Sequence, residues 1–198
     1  MKSLKIAPLT LTGEVVRLEP LSEIHVPELT VAGHDKNIWR YMLYVYPDNQ
    51  EKMLALVRDL LGRQASGTDL PFAVIHLASS HAIGSTRYLE IRNEHCSLEI
   101  GGTWYSPAYQ RTAVNTECKY LLLKHAFEVL GCIRVQFKAD ARNERSLLAI
   151  ERLGAIREGV LRNHMITPDG TIRDSVYFSI LDVEWEGVKQ KLEGMLGR

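Results

Sequence analysis

The stretch Trp104-Tyr105-Ser106-Pro107-Ala108-Tyr109-Gln110-Arg111-Thr112-Ala113-Val114-Asn115-Thr116 decides how this chain folds. An apolar strand enters it and stops at Pro107, and an apolar helix leaves it and runs to about Leu130. The first turn of a helix has backbone N–H groups with no partner inside the helix, and the aligned peptide dipoles place partial positive charge on them. An anion can dock there without a dedicated cage of cations. A second helix start, Asn143-Glu144-Arg145-Ser146, follows one strand later.

Working back from this stretch, residues 72–77, 82–91 and 96–105 are apolar or alternating runs separated by Ser79-Ser80 and Asn93-Glu94, the pattern of an antiparallel meander. Working forward, the spacing predicts a helix over 116–130 closed by Gly131, a strand over 134–139, a helix over 144–153 closed by Gly154, and a strand over 156–162. That β-α-β-α-β rhythm implies parallel pairing in part of the sheet. Pro168-Asp169-Gly170 is a turn, because proline presets φ and glycine tolerates positive φ, so the last two strands form a hairpin before a short amphipathic helix over 183–196.

At the start of the chain, residues 14–18 alternate as a strand, and Ser22 can cap a helix beginning near Ile24 or His25. Asp48 or Asn49 caps a second helix through about Gln64, with Met53, Val57, Leu60 and Leu61 in its apolar stripe. The aromatic segment 39–46 between them fits neither period. No repeat and no Pro-, Gly- or Ser-rich linker divides the chain, so residues 1–198 read as one mixed α/β domain.

Composition narrows the function classes. A chain of 198 residues with 45% hydrophobic content can bury a core of its own. Lys plus Arg and Asp plus Glu both total 24, so no global basic field exists to recruit duplex nucleic acid. Three cysteines, Cys96, Cys118 and Cys132, form neither a disulfide framework nor a zinc-binding spacing, which predicts a reducing, cytoplasmic setting. Residues 1–13 are interrupted by Pro8, Thr10 and Thr12, and no apolar run is long enough to span a bilayer, so neither a signal peptide nor a membrane partner is expected.

The order β-α-α-β-β-β-α-β-α-β-β resembles the GNAT (GCN5-related) family of N-acetyltransferases, and the likeness covers nearly the whole chain. Within that family it is similar to the branch containing ribosomal-protein N-terminal acetyltransferases. The motifs that carry it are Leu98-Glu99-Ile100-Gly101, Pro107, Val114-Asn115-Thr116-Glu117, Lys119, Phe127, Leu130-Gly131, Asn143-Glu144-Arg145-Ser146, Leu153-Gly154-Ala155 and Arg157-Glu158-Gly159. The resemblance implies one α/β (α+β) domain with a mixed central sheet of about seven strands, a splayed strand pair and flanking helices. It implies acetyl-CoA as cosubstrate, a primary amine as acceptor, either a protein N-terminus or a small amine, no metal, no nucleic acid, and a monomer or homodimer. The pantetheine arm is expected between the strand over 96–105 and its neighbour over 134–139, bonded to backbone like an added strand. Trp104 and Tyr105 then supply main-chain contacts, the amides of Arg111, Thr112, Ala113, Val114, Asn115 and Thr116 hold the diphosphate, and Asn143 and Ser146 approach the pantetheine and its sulfur.

Two departures from the family pattern stand out. Arg111 and Ala113 occupy the places of the loop's two glycines, so Arg111 is expected either in ordinary backbone geometry, in a reshaped loop, or as a direct charged contact to phosphate. Ile150 stands where many members carry a tyrosine acid, which leaves Ser146 as the candidate donor to the leaving thiolate.

Acyl transfer to an amine needs a route for the amine's proton, donors for the developing oxyanion and stabilisation of the thiolate. Glu99 is the candidate base, since Leu98 and Ile100 face the other side of its strand; the plain alternative is a carboxylate bonded to a neighbour on the sheet face. Ser146 is either a leaving-group donor or bonded locally to its helix. Asn143 reads first as a helix N-cap. His164 either lines the acceptor pocket or is a surface residue, Arg142 or Arg145 can meet a CoA phosphate, and Trp39, Tyr41, Tyr44 and Tyr46 fall where the family places its acceptor-side loop. A module that binds acyl-CoA without turnover is the alternative function.

Overall fold

The computed structural model describes residues 4–198. Eight strands form one sheet in the order β1-β2-β3-β4-β5-β6-β8-β7. They are β1 (Leu11–Thr12), β2 (Val16–Pro20), β3 (Leu70–His76), β4 (His81–Arg92), β5 (Ser97–Tyr105), β6 (Arg134–Asp140), β7 (Ile156–Ile166) and β8 (Ile172–Leu181). The strand beyond the seven expected is the two-residue β1, too short to carry a period of its own. Every neighbouring pair is antiparallel except β5 and β6, because α3 (Ala113–Lys124) crosses over between them. The hairpin turn at Gly170 (φ 82°) inserts β8 between β6 and β7, so these two strands run in the same direction without pairing, linked through side chains such as Arg134 and Glu158.

Helices cover both faces. α1 (Val26–Ala32) and α2 (Gln50–Ala65) pack on β3 and β4 from one side, while α3, α4 (Glu144–Leu153) and α5 (Trp185–Leu196) lie on the other. Side-chain alternation follows: Leu98, Ile100, Val135, Phe137, Val176 and Phe178 enter the core under α3, whereas Ala73, Ile75 and Trp104 join Trp39, Met53 and Val57 under α1 and α2. Asn49 caps α2 by accepting from the Lys52 amide at 2.9 Å. The ambiguous aromatic segment becomes a short 3₁₀ turn, Lys36–Trp39, followed by irregular chain. Trp39 anchors that segment, donating its indole N–H to the Gly33 carbonyl at 2.8 Å and packing 5.0 Å from the Trp104 ring.

α3 begins at Ala113, three residues before the apolar run suggests, because Thr112 is its N-cap. Its far end widens into a π turn, His125–Val129, before Gly131 (φ 72°) ends it. The helix is fixed in place by Glu117, whose buried carboxylate accepts from the amides of Glu14 (3.0 Å), Val15 (2.6 Å) and Val16 (2.8 Å) and pairs with Arg198. Three backbone donors on one carboxylate hold the helix start against the entry of β2, and with it everything the helix N-terminus can bind.

Candidate active site

β5 and β6 pair through Ser97 with Arg134, Leu98 with Val135 and Glu99 with Gln136, and then part. On its other side β5 is irregular just beyond this point. Between Trp104, opposite Ser85, and Gly101, opposite Arg87, β5 has one residue more than β4, a bulge carried by Gly102 at φ 57°. Glycine suits this place, because φ is left-handed and a Cβ there would stand a tight 3.1 Å from both the Arg87 Nε and the Tyr44 hydroxyl. The bulge also shifts the alternation, so Thr103 turns toward α3 while Trp104 joins the opposite core cluster. Beneath it the Lys119 ammonium donates to Thr103 Oγ1 at 2.7 Å, and Thr103 shares a 2.7 Å hydrogen bond with Thr86. Lys119 is 6% exposed, and burial lowers its pKa to about 8.

The loop from β5 into α3 holds a left-handed residue that is not glycine. Arg111 sits at φ 61°, in the left-handed region, so of the expectations for this residue the ordinary backbone geometry is not the one observed. Thr112 Oγ1 accepts from the Val114 amide at 3.3 Å and donates to the Tyr109 carbonyl at 2.8 Å. The Arg111, Thr112 and Ala113 side chains are exposed, and helix geometry leaves the Ala113 and Asn115 amides without partners of their own. Val114 and Thr116 are buried, with Thr116 Oγ1 accepting from Arg152 at 3.2 Å, and their amides are already engaged, Val114 by Thr112 Oγ1 and Thr116 by the first helical turn, so within the helix the open amides are those of Ala113 and Asn115. Trp104 and Tyr105, whose rings are core, can offer a ligand only backbone. Asn115 Oδ1 accepts from the Tyr105 hydroxyl at 3.3 Å.

Glu99 lies where the strands part, 2% exposed. Its carboxylate accepts from Gln136 Nε2 at 3.0 Å and has the Lys138 ammonium at 3.5 Å, so the plain reading of a carboxylate bonded to neighbours holds in this structure. Burial raises its pKa above the ordinary 4.5, against the opposing pull of Lys138 and Gln136. From Lys138 the polar face continues through the Tyr177 ring, 5.7 Å from the ammonium, to His164, whose ring centre is 5.7 Å from that of Tyr177. His164 is thus packed beside the site, with its pKa lowered by burial and by the nearby Lys138 and Arg173.

At the second helix start, Asn143 caps α4 by accepting from the Ser146 amide at 3.2 Å. The Ser146 hydroxyl itself makes no hydrogen bond among the described residues and is half-buried, so local bonding to the helix does not occupy it. Ile150 is buried in the core cluster, leaving no hydroxyl at the place of the family's tyrosine. A cavity of about 350 Å³ opens at this end of the sheet, lined among others by Tyr41, Gln110, Arg142, Asn143 and Arg145. Gln110 spans its rim, donating to the Tyr105 carbonyl at 3.0 Å and accepting from Arg145 at 2.6 Å. Arg142 is held by Asp140, with Nη2 at 2.6 Å.

Gln136, Lys138, Tyr177 and the Gly102 bulge were not among the residues singled out from sequence. The alternation in Arg134-Val135-Gln136-Phe137-Lys138 places Gln136 and Lys138 on the face opposite the core, and a Gly-Gly pair inside a strand signals a bulge. Both signals were present, but which strand lies beside Glu99 is a matter of topology.

The split at the one parallel pair of the mixed sheet, with an open helix N-terminus beside it, lies within the residues that match the acetyltransferase (GNAT) domain model, which spans residues 16–156. The chain belongs to that family. A crystal structure of a provisionally assigned acetyltransferase from T. thermophilus is 40% identical, covers 96% of this chain and 98% of its own, and superposes with a TM-score of 0.88. The Bacillus subtilis (strain 168) protein YdaF, provisionally named a ribosomal N-acetyltransferase, is 35% identical over 88 residues, which is 44% of this chain and about half (48%) of that relative's length. Mycobacterium smegmatis RimJ, solved in complex with CoA-disulfide, shares the fold at 19% identity and a TM-score of 0.78 over 97% of this chain and 94% of its own.

Proposed function

We propose that this protein transfers the acetyl group of acetyl-CoA to a primary amine by direct attack. The amine nitrogen adds to the thioester carbonyl, the C–S bond breaks, the proton from nitrogen passes to the Glu99 carboxylate directly or through water, and the departing thiolate takes a proton delivered at Ser146. The observation that carries this reading is the end of β5–β6 pairing at Glu99 and Gln136, which sets a buried carboxylate at the apex of the split. The open N-terminus of α3 lies on the same connection, suited to the diphosphate of CoA. CoA-disulfide bound by a protein of this fold is consistent with that use of the split.

Burial favours Glu99 as a base, because a carboxylate with a raised pKa has more affinity for the proton it must accept. Lys138 keeps it ionised and Gln136 fixes its orientation. Ser146 suits the donor role because its hydroxyl is uncommitted beside the Asn143 cap. Cys118 and Cys132 are unsuited as nucleophiles: both are buried, and burial pushes their thiols up to about 12, far from a reactive thiolate at neutral pH. The acceptor is a protein N-terminus or a small amine.

Release of free CoA from acetyl-CoA on mixing with a panel of amines tests the reading, with wild type beside Glu99→Gln and Ser146→Ala. Acetyl-CoA binding, seen as a raised melting temperature without CoA release, would replace the enzyme with a sensing module. Full turnover by both variants at saturating acceptor would remove these two residues from their roles.

A further inference from the structure

Around the polar face beside Glu99, each buried or half-buried carboxylate has its own cation. Glu99 has Lys138 at 3.5 Å, Asp140 has Arg142 at 2.6 Å, and Asp69 has Arg87 at 3.1 Å. Arg173 on β8 is left over. It is 5% exposed, lies on the same face as Ser175 and Tyr177, and has no carboxylate within 4.0 Å among the described residues. Its Nε donates to Ser175 Oγ at 3.1 Å and its Nη1 to the Tyr41 carbonyl at 3.3 Å, while Nη2 has no protein acceptor and is not sealed from solvent.

A guanidinium does not lose its proton in a protein, so burying one without a counter-ion costs free energy that something must offset. Asp140 and Glu99 help only through space, and neighbouring Arg142 works against them, which agrees with the lowering of the Arg173 pKa by burial. Asp140 cannot move across to supply the missing pair, because both of its oxygens are engaged by Arg142. Tyr41 joins Arg173 to the cavity, accepting its hydrogen bond and lining the 350 Å³ space beside Asn143.

The geometry points to Arg173 as the anchor for a carboxylate carried by the acceptor, so that the acceptor is an amine bearing a carboxylate on the same molecule rather than a polycation. This rests on the acetyl-transfer reading and names its substrate class. The free amine end faces Glu99, the carboxylate end pairs with Nη2 of Arg173, and the pair of contacts orients the nitrogen. A polyamine or aminoglycoside brings further positive charge to a site that already holds one unpaired buried cation, and is disfavoured for that reason. The carboxylate can belong to a free amino acid or to an acidic residue near a peptide N-terminus.

The test compares kcat/KM for ω-amino acids of increasing length, from glycine to 6-aminohexanoate, with their carboxamides. Spermidine, and tripeptides beginning Ala-Glu and Ala-Gln, complete the panel. One carboxylate acceptor is expected to exceed its carboxamide by roughly 10- to 100-fold, the range for a hydrogen-bonded charge. In Arg173→Gln the ratio falls to within about threefold of one, and in Arg173→Lys it stays above that of the Gln variant. Free amino acids ahead of peptides, or the reverse, identifies the source. Equal use of carboxamides, or spermidine as the best acceptor, overturns the proposal while leaving acetyl transfer intact. Calorimetric titration of the same amino acids into wild-type protein saturated with CoA gives an answer that does not depend on turnover: no preference for carboxylate over carboxamide overturns it as well. Absence of CoA binding in that titration would instead defeat the acetyl-transfer reading itself.

Discussion

Replacing Lys119 by methionine isolates the energetics of the bulge. The ammonium is buried beneath β5, with one hydrogen bond to Thr103 Oγ1 at 2.7 Å and no carboxylate within ion-pair distance among the described residues. Its pKa is lowered from 10.5 to about 8 by desolvation, partly countered by Cys118. A folded-state pKa below the unfolded one means that between pH 8 and 10.5 the unfolded chain binds more protons, so stability rises with pH across that window. The gap corresponds to about 3 kcal/mol, absent below pH 8 and complete near pH 10.5. Cys118 works in the opposite sense: its thiol, pushed up to about 12, stays protonated in the folded state and costs stability as pH passes 9. That contribution is common to both proteins and cancels to first order. Urea unfolding of wild type and Lys119→Met at pH 7, 8, 9 and 10 is therefore expected to show the stability difference moving toward wild type by about 2 to 3 kcal/mol. At pH 7 the variant loses a charge-assisted bond worth about 1.5 to 3 kcal/mol and relieves a buried charge of similar cost, so it folds with nearly wild-type stability. A difference that stays flat from pH 7 to 10 would refute the claim that Lys119 is buried and ionised at neutral pH.

Four further outcomes follow from particular contacts. Because burial raises the Glu99 pKa above 4.5, kcat/KM is expected to rise with pH in the range above 4.5, and that limb should vanish in Glu99→Gln; a persisting limb removes Glu99 as the base. The same shift makes Glu99 ionisation costly to the fold, so its contribution to stability is present below pH 4.5 and lost above it, and Glu99→Gln should flatten that part of the pH–stability curve. Arg111→Gly relieves a left-handed non-glycine residue and should stabilise the protein by about 1 kcal/mol in thermal unfolding, whereas a loss of stability would mean that the Arg111 side chain contributes more than its backbone costs. Gly84→Ala should destabilise by about 3 kcal/mol or more, since a Cβ there would overlap the Trp104 carbonyl oxygen across the β4–β5 pair; an unaltered melting temperature would show that the strands can shift apart freely.

The order of elements could be read from the chain because strands and helices announce themselves through short-range periodicity and caps. Glu99 between Leu98 and Ile100 has one possible side of its strand, Asn143 has the side chain and position of a cap, and the residues flanking Pro168-Asp169-Gly170 can only turn back. Element ends were less legible. Thr112 starts α3 early through a hydrogen bond to its own backbone neighbourhood, and β7 runs on to Ile166 because β8 is there to pair with it. Arg111 is a place where residue type misleads: arginine disfavours the left-handed region, yet the strand end at Tyr105 and the helix start held by Glu117 leave the loop between them that conformation.

Sequence alone determined the class of fold, the helix starts that can receive an anion, and the side of its strand on which the Glu99 carboxylate lies, since each depends on residues within a few positions of one another. Tertiary structure decided which groups surround that carboxylate. Gln136 and Lys138 reach Glu99 from 37 and 39 residues downstream, through a crossover whose outcome no local pattern encodes. The bulge at Gly102 belongs to the same level, because one extra residue becomes a mismatch only when β4 lies alongside. The unpaired charge of Arg173 is likewise a property of the assembled face: the buried carboxylates on that face, Glu99, Asp140 and Asp69, are each matched with another cation.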